Sequence, residues 1–504
     1  MGVTIKDLAE FLFQRRCLKE IVALDSRDLS QLVSDVCIDS RLVKSGALFC
    51  CIDGTKRRGI EFAQDAKKSG AIAVIANERI SNLDIPQLIV TDAQEACGLA
   101  AAYLNGLPAS KLLMISVTGT NGKSTTSYLI RSILKAGGML CGLIGTIIYH
   151  DGIKEEEADR TTPQAPLIQS LLGRMVQNGC HACVMEASSH GIEQKRIAGC
   201  LYDRAVFTNL TPEHLDYHGD MDNYFTAKKG LFERHMRGSW KVSTNADDPY
   251  GKVIHQIFEP YALDFAIHHK DDGAFCGAII DSSISGIVMD INLPGGALRN
   301  ISLPLLGEYN AYNALAAASV AWSLGFSPEV IKVGLESCPP VPGRLERYFI
   351  EGGPVCIIDY AHTPDALQKV ASTIKPLCNG KVWLVFGHGG DRFKENRPLL
   401  GRVAASWADH IVVTMDNPRS EDPEDIALQI VDGIKSCPGS PDYRIIIDRK
   451  DAVHFALDHA EAGDVVLVTG KGPERHIIFK DHIMPYSDFE ALKDWCNLRG
   501  KKFL

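Results

Sequence analysis

Residues 112–138 read LLMISVTGTNGKSTTSYLIRSILKAGG, and the fold is decided here. The first six are apolar apart from Ser116, which predicts a buried strand over 112–117. A glycine-rich turn follows. From 124 to 136 the pattern is helical, with Leu129, Ile130, Ile133 and Leu134 on one face, and Gly137-Gly138 stop it. Strand, glycine turn and helix in that order aim backbone N–H groups and the positive end of the helix dipole at one point beyond the strand. The turn comprises Gly119, Thr120, Asn121, Gly122, Lys123, Ser124 and Thr125. Lys123 can reach terminal phosphates, and Ser124 can ligate Mg²⁺. The spacing departs from the common GxxxxGK loop, since Val117 stands where its first glycine would be. The plain alternative is a structural turn, and the flanking strand and helix weigh against it.

Working outward, further strands are expected at 181–187 and 203–208. Helices are expected at 222–235, capped by Asp222, and at 310–323, ended by Gly325. Short alternating runs and glycines over 251–306 suggest an antiparallel insertion. Past the prolines of CPPVPGR (338–344) strands and helices alternate. Strands are read at 355–359, 381–387, 410–416, 444–448 and 464–470. Helices are read from Thr363-Pro364, at 397–408, 423–435 and 450–460. Such alternation argues a parallel, doubly wound sheet with ligands beyond the carboxyl ends of its strands. Upstream, the runs ALFCCI, AIAVIA and QLIV precede the punctuation LNGLPASK and suit a small mixed domain. The expected fold class is therefore α/β in three domains. Residues 1–109 form a small amino-terminal α/β domain, 110–341 a central P-loop-type α/β domain, and 342–504 a carboxyl-terminal Rossmann-like doubly wound sheet.

Composition agrees with this. The chain has 504 residues, 45% hydrophobic and 23% charged, as in ordinary globular proteins. At ~100–200 residues per domain, about three domains are expected. A net charge of −9 does not suit a protein that coats nucleic acid or an anionic membrane. No apolar run reaches the roughly 18 residues of a membrane span, and no signal peptide is read at the start. Fifteen scattered cysteines, an odd number, read as reduced thiols in a cytosol. The lone CxxC, Cys180-His181-Ala182-Cys183, leads into an apolar run and reads as two thiols at the start of a buried strand.

Several side chains are candidates for chemistry. Glu186 ends a predicted buried strand, where a carboxylate is costly unless paired or bound to metal. It could equally be a surface acid at a strand tip. His214 and His218, in TPEHLDYHG, could be metal ligands or loop histidines. Lys228, on a predicted helix, reads from spacing alone as a solvated charge. In the third segment GHGGDR, DNPR and GKGPE each follow a strand, so three polar loops would converge on one crevice. Arginines there suit a ligand carrying carboxylates.

With these residues in view, the chain resembles the Mur ligase family over nearly its whole length, from IDSR (38–41) to GKGPE (470–474). The motifs are GTNGKST, MEASSHG with Gln194 and Arg196, TNLTPEHLDYHG, YFTAKKGLF, GEYNAYNALAA, DYAHTPDAL, GGDR and DNPR. The resemblance implies an ATP-dependent ligase that phosphorylates a carboxylate and joins it to an amine. It implies catalytic roles for Lys123, Glu186, His214 and Lys228. Two Mg²⁺ ions are implied, one on Ser124 and Glu186, the other on His214 and on Lys228 as a CO₂-derived carbamate. ATP contacts would include the glycine-rich loop, Asn310, Asn313, Arg344, Asp359 and His362. UDP-muramoyl dipeptide would meet Ser40, Thr55, Lys56, Arg57, Thr161, Thr162, Ser188, Gln194 and Arg196. The amine substrate, meso-diaminopimelate, would meet Arg392, Asp416, Asn417, Pro418, Arg419, Gly470 and Glu474. Arg419 separates it from lysine, which lacks the distal carboxylate. The resemblance also implies a cytoplasmic monomer with small-molecule partners and no nucleic acid. Because the phosphate loop and the amine site fall in different segments, residues past about 343 are expected to rotate as a body when ligands bind.

Arg160, Phe393 and Pro473 depart from the family pattern, as does the loop at 55–57. Competing readings are a lysine-adding Mur ligase, a folylpolyglutamate synthase and a non-catalytic plastid Mur-like component of a transcription complex. Arg419, the Ser40 region and the intact Lys123, Glu186 and Lys228 argue against these in turn.

Overall fold

The strand expected at 112–117 runs Leu113–Thr118 in the computed structural model, and the helix after the turn runs Lys123–Ala136. The structure describes residues 2–23, 25–54, 56–268, 275–439 and 441–504. By internal contacts the chain divides into two compact units. The first comprises 1–278, 291–299 and 312–335; the second comprises 279–290, 300–311 and 336–504.

Within the first unit the amino-terminal segment forms five strands: β1 (Leu18–Val22), β2 (Asp35–Cys37), β3 (Ala47–Cys50), β4 (Ala71–Ala76) and β5 (Gln87–Val90), in the order β1-β5-β4-β3-β2. Side chains alternate between faces as a pleat requires. Leu48 and Cys50 pack with helices Ile5–Gln14 and Ala93–Leu104, whereas Ala47 and Phe49 pack with helix Ala63–Lys68.

The central strands are β6 (Leu113–Thr118), β7 (Cys141–Ile144), β8 (Ile148–His150), β9 (Glu155–Glu157), β10 (Ala182–Glu186), β11 (Tyr202–Phe207), β12 (Met236–Asn245) and β13 (Ala262–Ala266). Their order is β9-β8-β7-β10-β6-β11-β12-β13, parallel except at β8 and β9. The first strand is central, so the glycine loop leaves the middle of the sheet, flanked by the ends of β10 and β11. β14 (Phe275–Ser283), β15 (Gly286–Leu293) and β16 (Gly296–Leu303) continue the sheet, joined by two-residue connections. The insertion expected over 251–306 is thus antiparallel only in its later part. Its start is helix Pro249–Ile257 and the parallel β13.

The amino-terminal and central segments meet along a close seam. A Cβ on Gly98 would lie 2.6 Å from that of Ala198, and one on Gly199 would lie 2.8 Å from that of Ala102. Beside this contact Lys195 Nζ donates to Asp92 at 2.7 Å and to Glu95 at 3.0 Å.

The second unit carries β17 (Glu346–Phe349), β18 (Val355–Asp359), β19 (Val382–Phe386), β20 (His410–Val413), β21 (Asp442–Ile445) and β22 (Val465–Thr469). Their order is β17-β18-β22-β19-β20-β21, with only β17 antiparallel. Both faces are covered. Ile357, Leu384 and Leu467 pack on one side, and Ile358, Val385 and Val468 on the other. The doubly wound expectation holds.

Two local readings are corrected. The cap of helix Met221–Arg234 is Asp220, not Asp222: Gly219 turns with φ +82°, and the Asp220 carboxylate accepts the Asn223 N–H. The strand read at 444–448 lies at Asp442–Ile445, in register with β20, which leaves Asp448 to cap helix Arg449–His459. The cysteines are free thiols, mostly buried, and Cys183 lies inside β10 as expected. No helix among the described residues is long and apolar enough to cross a membrane.

Candidate active site

The glycine loop is shaped by its neighbours. Gly119 has φ +143°, and a Cβ there would lie 1.9 Å from Thr208 Oγ1. Gly122 has φ +86°, and its Cβ would meet Asn313 Oδ1 at 2.3 Å. Both positions therefore require glycine. Asn121 N–H donates to Asn209 Oδ1 at 3.0 Å, and Thr208 Oγ1 donates to Asn121 O at 2.6 Å. Thr120 Oγ1 donates to Thr211 O at 3.2 Å; Thr125 is buried. Lys123 Nζ folds onto the carbonyls of Gly119 and Thr120 at 3.0 and 2.7 Å.

Lys228 is the largest departure from the plain sequence reading. It is 1% exposed, and its Nζ donates to Gly119 O at 2.7 Å. Its helix presents it to the loop from beneath, 4.6 Å over the Tyr224 ring. Burial, with Lys123 nearby, pushes its amine well below the usual lysine range. Spacing could not reveal this, because a helix looks the same from sequence whichever face is buried by the next layer.

Glu186 is also buried, at 1% exposure. Its carboxylate accepts Ser124 Oγ at 3.1 Å, Thr146 N–H at 3.0 Å and Thr146 Oγ1 at 2.8 Å. A Cβ on Gly145 would lie 2.3 Å from Glu186 Oε1, so Gly145 leaves that carboxylate its room. Thr146 carried no sequence signal. Beside it the residues expected to hold the nucleotide-linked peptide form one network. Thr146 Oγ1 bonds Thr161 Oγ1 at 3.0 Å, and Thr162 Oγ1 donates to Glu186 O at 2.9 Å. Ser188 N–H donates to Thr162 Oγ1 at 2.9 Å, and Arg196 bonds Thr162 O and the Gln194 carboxamide.

His214, at φ +57°, sits against His190, with ring centroids 4.9 Å apart. His218 is buried, bonded to Ser189 Oγ at 2.9 Å and to Glu193 at 3.3 Å. Burial lowers all three imidazole pKa values, that of His190 to about 4, so the cluster is neutral at neutral pH. Neutral imidazole is the form that ligates metal. Among the described residues no three His, Cys, Asp or Glu side chains are grouped to hold a metal. The expected sets need only one such side chain each, beside a hydroxyl or a carbamate. The donors suit a hard cation: carboxylate Glu186 touches hydroxyl Ser124.

The remaining expected residues are more dispersed. Asn313 lies beneath Gly122 and accepts Thr126 Oγ1 at 3.1 Å. In the amino-terminal segment Arg57 pairs with Glu61 at 3.0 Å and covers the Phe62 ring, Lys56 is exposed, and Ser40 is half-buried. Thr55 lies outside the described residues.

In the second unit Asn310 donates to Leu306 O at 2.7 Å. Asp359 ends β18, buried, accepting Leu345 and Ala361 N–H groups at 2.8 Å. Arg344 lies over Tyr360, and His362 Nδ1 bonds Tyr360 O at 2.8 Å. The loops after β19, β20 and β22 do converge. Asn417 Nδ2 donates to Glu474 Oε2 at 3.0 Å, and Arg419 Nη1 donates to Gly390 O at 2.8 Å. Asp416 is buried, next to Gly470. Arg392 is exposed and Pro418 buried. Sequence reading missed two cations here. Lys471 is fully buried and bonds Asp416, Asn417 and Glu474. Arg449 bonds Asp488 twice and also Met415 O and Thr469 O. Lys471 had a signal, since its loop was recognised; Arg449 had none.

Known proteins match this arrangement. Residues 32–108 match the model of the Mur ligase family catalytic domain, 117–321 the Mur ligase middle domain, and 343–472 the Mur ligase glutamate ligase domain. A UDP-N-acetylmuramoyl-L-alanyl-D-glutamate–2,6-diaminopimelate ligase of Geobacillus kaustophilus is 38% identical over 469 residues, 92% of this chain and 94% of that one. One of the same name from Gloeobacter violaceus is 39% identical over 497 residues, 96% of this chain and 99% of that one. A solved structure with that name superposes with TM-score 0.69 at 28% identity, covering 99% of this chain and 100% of the other. The MurF ligase of Thermotoga maritima in complex with ADP shares the fold at TM-score 0.60 and 20% identity, covering 87% and 94%.

Proposed function

The chain belongs to the Mur ligase family, and from that premise we propose that it joins meso-2,6-diaminopimelate to UDP-N-acetylmuramoyl-L-alanyl-D-glutamate, using ATP, in peptidoglycan synthesis. The observation that carries this reading is 38% identity, over 92% of the chain, to a relative of that name. The DNPR arginine, Arg419, supports the choice of amine.

A carboxylate is a poor electrophile, and phosphoryl transfer from ATP converts it to an acyl phosphate that an amine can attack. The glycine loop supplies backbone N–H groups and the Lys123 ammonium to the phosphates. Ser124 and Glu186 would hold one Mg²⁺ ion and His214 and carbamylated Lys228 another, and the ions would supply neutralisation of charge between the approaching anions. Lys228 suits carbamylation because burial favours its neutral amine. Its nitrogen lone pair attacks the CO₂ carbon and the displaced N–H proton passes to solvent, leaving an anion where a neutral amine was. The Thr161, Thr162, Ser188, Gln194 and Arg196 network holds the peptide beside Glu186. Ser40 and the loop at 55–57 hold the uridine diphosphate. Asn310, Asn313, Arg344, Asp359 and His362 are assigned as ATP contacts. Arg392 and Arg419 read the distal carboxylate of diaminopimelate, Asp416 and Glu474 read its ammonium, and Asn417, Pro418 and Gly470 are assigned to the same site. We also assign the three domains to 1–109, 110–341 and 342–504, and the protein to the cytoplasm as a monomer.

The test is an amine panel of diaminopimelate, lysine and ornithine with UDP-muramoyl dipeptide and ATP, the product identified by mass and phosphate release measured. Amide from diaminopimelate is expected. Lysine joined as readily would overturn the selectivity, and no amide from either the whole reading.

A further inference from the structure

Lys471 is one of the largest fully buried side chains of the protein, and the amine chemistry does not call for a cation there. The ammonium has three protons, and three acceptors surround it: Asn417 Oδ1 at 2.9 Å, Glu474 Oε2 at 2.9 Å and Asp416 Oδ1 at 3.2 Å. All three belong to the residues assigned to the amine substrate. They come from two loops, one after β20 and one after β22, and Lys471 ties the loops together. The orientation of Asn417 is fixed as a result. Its Oδ1 takes Lys471 and the Ile478 N–H at 3.0 Å, so its Nδ2 must face Glu474 Oε2. Glu474 keeps its other oxygen toward Tyr360 Oη at 3.3 Å.

We propose that Lys471 is the positioning residue of the amine-substrate site, an internal cation that holds Asp416, Asn417 and Glu474 in the geometry that receives the amine substrate. This rests on the ligase reading above and extends it to a residue that touches no substrate. Two carboxylates brought together without a cation would repel, and one would take up a proton. With Lys471 beside it the Asp416 carboxyl is held below its usual range despite its burial. A lysine suits this task and an arginine does not, because the acceptors converge on one point instead of lying in a plane.

The test uses the full chain with Lys471→Met and Lys471→Arg, KM and kcat being measured for each of the three substrates. The amine is whichever one the wild type ligates, so absence of amide from diaminopimelate in the wild type counts against the proposed function and not against this inference. For Lys471→Met the amine KM is expected to rise at least fivefold. The KM values for ATP and the nucleotide-linked peptide should stay within twofold. The acidic limb of kcat/KM for the amine should move to higher pH, as the Asp416 carboxylate loses its cation. If Lys471→Met does not fold, Lys471→Arg, which keeps the charge, is judged by the same KM criteria. An amine KM raised less than fivefold overturns the proposal, as does a parallel loss for all three substrates. Failure of both variants to fold makes Lys471 a fold element and also overturns it.

Discussion

Lys228 concentrates the conflict between folding and chemistry in one side chain. A buried lysine whose pKa is depressed releases its proton on folding, so stability falls as pH drops below the unfolded value near 10.4. Replacing it with an apolar isostere removes that cost. Lys228→Met is expected to raise Tm, at about 2–4 °C per kcal/mol for a large domain, while Lys228→Ala and Lys228→Met both lose turnover nearly completely. Full activity of Lys228→Ala without added carboxylate would refute the carbamate. His190 gives the complementary pH test. Its folded pKa is about 4, against about 6.5 unfolded, so the stability it contributes is complete above 6.5 and lost as pH falls toward 4. His190→Gln should flatten the pH dependence of denaturant midpoints in that window. Arg419 sits at φ +52° with its N–H on Ile478 O. Arg419→Lys keeps charge but loses the planar fork, and should reduce the preference for diaminopimelate over lysine by about 10–100-fold, or ~1.4–2.8 kcal/mol. Residues of this kind were legible to different degrees. Lys123 and Ser124 were readable because a loop and a helix end act through local spacing. The burial of Lys228 and the Thr146 contact to Glu186 depend on layers distant in sequence.

At the level of elements, the strands and helices were readable wherever periodicity was strong. The carboxyl-terminal alternation and the helix after the glycine loop matched to within about a residue, except that the strand read at 410–416 ends at Val413 and the one read at 444–448 lies at Asp442–Ile445. The region 251–306 was not, since β13 and its neighbouring helix are too short to show a period. Edges also slipped, as at Asp220 and at β21, because caps depend on the turn before them. The buried Arg449–Asp488 pair links helix Arg449–His459 to helix Asp488–Arg499 and braces the carbonyls that precede Asp416 and Gly470. Removing one partner strands the other charge. Arg449→Met is expected to cost about 3–5 kcal/mol in urea unfolding. Reversal of that loss in Arg449→Met/Asp488→Leu would show that the pair, and not the volume, is responsible.

At the scale of the whole molecule, three sheets are legible from sequence as three α/β segments, yet the contacts make two units, and the reason lies at the seam of Gly98, Ala198 and Gly199. No pattern rule announces two small residues pressed against a helix of another segment. Lys195, which anchors that seam to Asp92 and Glu95, stands between Gln194 and Arg196 in the chain. On the proposed assignment, the residues that grip the substrate's peptide are fastened directly to the segment that holds its nucleotide. On that assignment such fastening would act as a gauge. A substrate held by its uridine end reaches Glu186 only if the span between its two ends has the right number of bonds, so peptide length is measured without any residue contacting the missing or extra amino acid. Lys195→Ala should loosen the gauge, and acceptance of nucleotide substrates one residue shorter or longer, read by mass, should rise relative to the wild type.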